Sequence, residues 1–163
     1  MIFPKTIKKP PKPRYLKPEA VKELERLADA EARIKHPTCP HLAPRRFRDD
    51  SSNGLTDCIV KYITLKGGFA SRINSTGIFD KRLNKYRRGT QKKGIADVLA
   101  TYRSKSLHIE VKHGKDRVSD AQMKVQTEVT RSGGLYFIAH NFTDFKLWFD
   151  NVHFAPLTDK RHE

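Results

Sequence analysis

The chain has 163 residues, with 33 Lys and Arg against 18 Asp and Glu, a formal charge of +15. That length allows one domain of ordinary size plus an extension, and the charge favours a polyanionic partner, nucleic acid first, although a ribosome-bound or membrane-surface protein would be equally basic. Two cysteines, Cys39 and Cys58, exclude a disulfide framework and point to a reducing cytosol; no apolar run approaches a bilayer span, and the start lacks the apolar core of a signal peptide.

In chain order, residues 1–18 carry five prolines and six cations without an acid, a composition that reads as a mobile basic arm for phosphate contact or simply a solubilising tail. A helix is expected from Glu19 to Lys35, opened by Pro18 and closed before Pro37. Its apolar stripe of Val21, Leu24, Leu27, Ala28 and Ile34 suits docking on the main domain or on a second subunit, which leaves oligomerisation through this helix open. The Pro- and Arg-rich stretch 36–50 reads as a connector, making 19–50 a helix-and-connector unit. His36, Cys39 and His41 lie close together there, but a closed zinc site needs four ligands and the spacing follows no standard finger.

A main domain over 51–152 is expected next, followed by a short tail, 153–163. Leu55, Cys58, Ile59, Tyr62 and Ile63 recur at helical spacing, with a cap offered by Ser51 to Gly54 and a stop at Gly67-Gly68. Phe69 to Asn74 reads as a strand, and 75–93 as a long loop. The loop carries Lys81, Arg82, Lys85, Arg87, Arg88, Lys92 and Lys93 against the single acid Asp80, with Phe79 and Tyr86 interleaved; contact with a nucleic-acid backbone is the better reading, with base stacking as an extra.

Ala96 to Tyr102 and Leu107 to Lys112 read as two antiparallel strands joined by the polar interval 103–106, folding about Ser104-Lys105. Alternation puts His108, Glu110 and Lys112 on one face, and the hairpin returns Asp97 to within a residue or two of Glu110. Two carboxylates beside a lysine suit Mg²⁺, which prefers oxygen ligands; Asp97 and Glu110 would hold it and the Val111 carbonyl would add a ligand. The same residues also fit a plain Glu110–Lys112 ion pair with Asp97 capping a turn. Beyond them, Ser119 or Asp120 caps a helix to about Arg131, with Gln122 in its first turn and Val125 and Val129 toward the sheet. Leu135 to Ala139 reads as an interior strand buried on both faces, and Thr143 to Asp150 as a short helix packing Phe145, Trp148 and Phe149 on the sheet.

Gly94-x-Ala96-Asp97, Glu110-x-Lys112, Ser119-x-x-Gln122, the run Gly133 to Ala139 and Thr143-Asp144-Phe145 together resemble, in order and spacing, the landmarks of a VRR-NUC domain, a branch of the PD-(D/E)XK nucleases found in phage and mobile-element proteins as well as repair enzymes. The likeness covers about 54–149. It implies an α/β fold, a restriction-endonuclease-like core with a small mixed sheet flanked by helices. It implies Asp97 and Glu110 as metal ligands, Lys112 as the catalytic lysine and Gln122 on the helix lining the site. The family's glutamate near the start of the first domain helix has no counterpart in Ser52-Asn53-Gly54; either Asp57 substitutes, Asp50 folds in, or fewer carboxylates hold the metal.

The expectation is therefore a Mg²⁺-dependent DNA endonuclease, with Mn²⁺ able to substitute, working in replication, recombination or repair in a bacterial or phage-infected cytoplasm. The runner-up is an inactive nucleic-acid-binding protein on a nuclease fold. A basic packaging or ribosome-associated protein would have no use for Asp97, Glu110 and Lys112 at one place. ATP hydrolysis and nucleophilic-residue catalysis have no motif to support them.

Overall fold

The computed structural model describes residues 14–73, 78–87 and 92–154; arm residues 1–13, Arg88 and the tail from 155 lie outside these. Among the described residues ten elements follow one another: α1 (Glu19–Lys35), α2 (Ser52–Leu65), β1 (Phe69–Arg72), β2 (Ile78–Asp80), β3 (Lys85–Arg87), β4 (Val98–Tyr102), β5 (Lys105–Val111), α3 (Asp120–Arg131), β6 (Leu135–Ala139) and α4 (Phe142–Asn151). The class is α/β, with a four-stranded mixed sheet in the order β1-β4-β5-β6. β1, β4 and β5 run antiparallel, and β6 lies parallel to β5 after the α3 crossover. No described helix is long and apolar enough to cross a membrane.

α2 is the centre of the core, because its apolar positions fall on one face at 3.6-residue spacing and all of Leu55, Cys58, Ile59, Tyr62 and Ile63 are removed from water. They meet the inward face of the sheet, Val98, Ala100, Leu107, Ile109, Val111 and Ala139, and the α4 aromatics Phe142, Phe145 and Phe149. Tyr62 is edge-on to Phe142 and Phe149, and its hydroxyl donates to Asp150 at 2.7 Å, so a buried ring keeps its polar end satisfied. As expected, Trp148 packs on the sheet, stacked on Phe137 with centroids 4.5 Å apart.

α1 docks on this domain, against α2 and α4, which is the first of the two alternatives its stripe offered. The buried stripe is Val21, Leu24, Ala28 and Ala32; Leu27 and Ile34 lie a step around the helix and are exposed. The connector is pinned along it, since Asp29 accepts from the Arg45 amide at 2.7 Å and Glu25 from the Phe47 amide at 2.8 Å. Tyr15, at the end of the expected mobile arm, is anchored: its hydroxyl donates to the buried Asp49 at 2.7 Å, and Asp49 in turn accepts from the Phe142 amide at the start of α4.

Three strand expectations need correction. The interval 75–93 is not loop throughout, because β2 and β3 pair in it as a separate two-stranded sheet. β6 is an edge strand, half-buried from Leu135 to Ile138 with only Ala139 fully buried, rather than an interior one; its apolar run is explained by α3 and α4 packing on it. The β4–β5 hairpin turns on Arg103-Ser104, both at positive φ (46° and 61°), the two-residue turn whose twist suits paired strands. That moves the register by two from a turn about Ser104-Lys105: Val98 pairs with Ile109, and continuing that register by one residue sets Asp97, just before β4, level with Glu110, within the expected residue or two.

Candidate active site

The sheet face away from the core carries the site. In β5, Leu107, Ile109 and Val111 are committed to the core, so His108, Glu110 and Lys112 must show the opposite side, beneath α3. Asp97, at the entry to β4, reaches the next strand: its Oδ2 accepts the Val111 N–H at 2.9 Å. Its carbonyl accepts the Ile73 N–H at 2.7 Å, so Asp97 is fixed by both neighbouring strands.

Glu110 is only 2% exposed and Lys112 8%. Lys112 Nζ lies 3.0 Å from Glu110 Oε1, and Gln122 Nε2 donates to the same oxygen. Ser119 caps α3, accepting from the Gln122 amide, while Gln122 Oε1 accepts from the Ser119 amide at 2.9 Å, a reciprocal capping box. The cap thus orients the side chain that meets the carboxylate. Gly94 lets this happen: at φ +82° a Cβ there would sit 2.4 Å from the Ala121 carbonyl, so only glycine permits the approach to the first turn of α3.

Burial chiefly raises the Glu110 pKa, and the charge of Asp97 raises it further, against the opposing pull of Lys112. Glu110 Oε2 is buried, and among the described residues no donor reaches it. The ion pair of the plain reading is thus present, yet it sits in a buried site and leaves one carboxylate oxygen unmatched beside a second carboxylate.

Sequence reasoning passed over Tyr136, and it placed His108 on this face without giving it a partner. Tyr136, inside the run read as simply apolar, is paired by parallel register with His108, and the rings stack with centroids 6.5 Å apart. Among the described residues, its hydroxyl and His108 Nδ1 are buried without hydrogen-bond partners. Burial first, then the charges of Glu110 and Asp97, push the Tyr136 hydroxyl up to about 12, whereas burial lowers His108. Alternation along β6 was the available signal, since Tyr136 occupies a position of the outward face.

The structure does not bring Asp57 into this group. It is exposed on α2 and lines a separate depression of about 340 Å³ with Arg46, Arg48, Asp50 and Ser51. Asp50 is held below the usual carboxylate range chiefly by Arg48, and it also feels His113, just past β5. Among the described residues no three His, Cys, Asp or Glu side chains come together as a metal cluster, and this includes His36, Cys39 and His41, all exposed. Lys81, Arg82, Lys85, Lys92 and Lys93 are exposed, Lys92 paired with Glu128 of α3; Arg87 closes β3. Comparison with family models, with curated proteins and with solved structures returns no match.

Proposed function

We propose that this protein is a metal-dependent DNA endonuclease of the VRR-NUC type, with a restriction-endonuclease-like core, that hydrolyses phosphodiester bonds. The observation that carries the reading is Asp97 and Glu110 side by side on neighbouring strands, with the buried Oε2 of Glu110 lacking a donor among the described residues and Lys112 alongside. An apolar or purely structural sheet face has no reason to bury an unmatched carboxylate, which costs about 1–3 kcal/mol or more.

The donor set fits Mg²⁺ or Mn²⁺. Both side chains offer carboxylate oxygens, the Val111 carbonyl, next in sequence to Glu110, would be the backbone addition, and hard cations choose oxygen. Such a cation would polarise the scissile phosphate and lower the pKa of water. Asp97 and Glu110 would hold it, Asp97 in an orientation already set by the Val111 N–H. Lys112, fixed by Glu110, presents an ammonium where negative charge develops and where an attacking water can be oriented. Gln122 keeps the Glu110 carboxylate in one rotamer. The net charge of +15 supplies the attraction for a polyanionic substrate.

The test is incubation of purified protein with linear and branched DNAs in Mg²⁺, Mn²⁺ or EDTA. Cleavage that needs the cation and is lost in Asp97→Asn, Glu110→Gln and Lys112→Ala, each still folded and binding DNA, is the expected result. Tight binding without cleavage in any cation would instead leave the inactive DNA-binding reading.

A further inference from the structure

Three buried side-chain polar atoms lack a hydrogen-bond partner among the described residues: His108 Nδ1, Glu110 Oε2 and the Tyr136 hydroxyl oxygen. All three belong to one patch of the sheet. Parallel register sets His108 beside Tyr136 and Glu110 beside Ile138 on the next strand. Leu135 and Phe137 pack on the core, so Tyr136 between them turns to the other face, beneath α3, with His108 and Glu110. The one fully buried residue of α3 is apolar, Val125, and Gln122 serves Glu110 at Oε1. The other nitrogen of His108, Nε2, lies 3.2 Å from Ser106 Oγ. Both residues line a depression of about 230 Å³ with Glu128, Val129, Ser132 and Gly134, so the imidazole stands between that depression and the buried patch.

Polar groups gathered in this way inside a protein are satisfied by internal water, which typically makes about three hydrogen bonds. The three atoms have the chemistry to hold one: a tyrosine O–H donates, a carboxylate oxygen accepts, Nδ1 does either according to tautomer, and water does both. Burial first, then the two carboxylates, pushes the Tyr136 hydroxyl up to about 12, so it keeps its proton at neutral pH. An ionised carboxylate has about two acceptor sites on each oxygen, so a bond from water to Oε2 leaves room there for a cation.

We propose that Tyr136 is a positioning residue for Glu110: its hydroxyl, together with His108 Nδ1, holds an internal water that donates to Glu110 Oε2. Gln122 and Lys112 fix the first carboxylate oxygen, and the Tyr136 water fixes the second. A carboxylate held at both oxygens meets a cation in one orientation. The inference rests on the nuclease reading for the task of Glu110, but the contact between Tyr136 and Glu110 stands apart from it.

The experiment uses Tyr136→Phe, which removes the hydroxyl and keeps the ring, alone and combined with Glu110→Gln, in the full chain. Urea denaturation in cation-free buffer gives the coupling. Tyr136→Phe should raise the unfolding constant about tenfold in the wild-type background and less than about threefold beside Glu110→Gln, where the charge-assisted bond is already gone. Calorimetric titration with Mn²⁺ should show a Kd about tenfold weaker in Tyr136→Phe. At a fixed, subsaturating Mn²⁺ concentration kcat for DNA cleavage should fall while KM for DNA stays within about twofold of wild type, a split that a loosened fold does not produce. Additive effects on unfolding, a Tyr136→Phe protein at least as stable as wild type, or an unchanged Mn²⁺ Kd each overturn the proposal. Mn²⁺ binding and cleavage without coupling remove Tyr136 and keep the nuclease; coupling in a wild type that neither binds Mn²⁺ nor cleaves keeps the contact and removes the nuclease.

Discussion

The side-chain amide of Gln122 serves two masters: its oxygen accepts the Ser119 N–H that closes the α3 cap, and its nitrogen donates to Glu110 Oε1 on β5. Helix start and carboxylate are therefore set by one residue. Gln122→Ala should lose about 1 kcal/mol through the broken cap. It should also weaken divalent-cation binding by roughly 10–100-fold, because Glu110 is no longer held in one rotamer. Calorimetric titration with Mn²⁺ beside thermal denaturation separates the effects; a normal Mn²⁺ affinity would leave Gln122 with capping alone.

Glu110 predicts a pH signature. Its folded-state pKa is raised, chiefly by burial and next by Asp97, so the stability it contributes is full below the unfolded carboxyl value and is lost as pH rises through the folded one. Without cation, Glu110→Gln should then be more stable than wild type at pH 7, by about 1 kcal/mol, as expected where a site has been built at the expense of stability. The gap should close at pH 4 and below. Melting curves over that range check it, and a variant less stable than wild type at neutral pH would show that the charge is already compensated.

Cation binding should reverse the order. A ligand that binds only the folded state at a hundred times its Kd stabilises by about 2.7 kcal/mol. Mg²⁺ or Mn²⁺ should raise the wild-type melting temperature and leave those of Asp97→Asn and Glu110→Gln nearly unmoved. An equal rise in all three would place the cation elsewhere.

The Gly94–Ala121 approach offers a purely steric test. Gly94→Ala adds a Cβ 2.4 Å from the Ala121 carbonyl and holds an unfavourable positive φ. The expected loss is about 1–3 kcal/mol. Because α3 must shift to accommodate it, the Gln122 to Glu110 bond should suffer too, so Mn²⁺ affinity should drop together with stability.

Much of this geometry was legible in the sequence. Strict alternation over Leu107 to Lys112 showed which side chains share a face, and the Ser119-x-x-Gln122 spacing marked the cap, because both follow from local backbone periods. The two-residue register error arose from the turn: Arg103-Ser104 adopts positive φ without a glycine to announce it. The edge position of β6 was hidden for a different reason, since helices on both faces give an edge strand the apolar run of an interior one. β2 and β3 are three residues each, too short for alternation to register among so many cations. Asp57 was the nearest acid in sequence on α2, but its helix turns it to the connector side.

The basic hairpin gives a prediction that separates binding from chemistry. Each cation that neutralises a phosphate releases condensed counterions, so log affinity falls with log salt in proportion to the number of contacts, with a slope of about −0.9 per contact on duplex DNA. Lys81, Arg82 and Lys85 are exposed on the hairpin, and replacing all three with Ala should flatten the slope by roughly two to three units. Lys92 is engaged with Glu128, so Lys92→Ala should change the slope by less than about one unit. Loss of affinity should be largest at low salt, where attraction is least screened. The single-turnover rate at saturating DNA should stay close to wild type in the triple variant, because its residues lie on the hairpin and not among Asp97, Glu110 and Lys112. Affinities measured from 50 to 300 mM salt, a range of about one decade at most, resolve the difference. An unaltered slope would move the phosphate contacts off the hairpin and onto other cations of the chain, while a collapsed turnover with normal binding would bring the hairpin into the reacting centre itself.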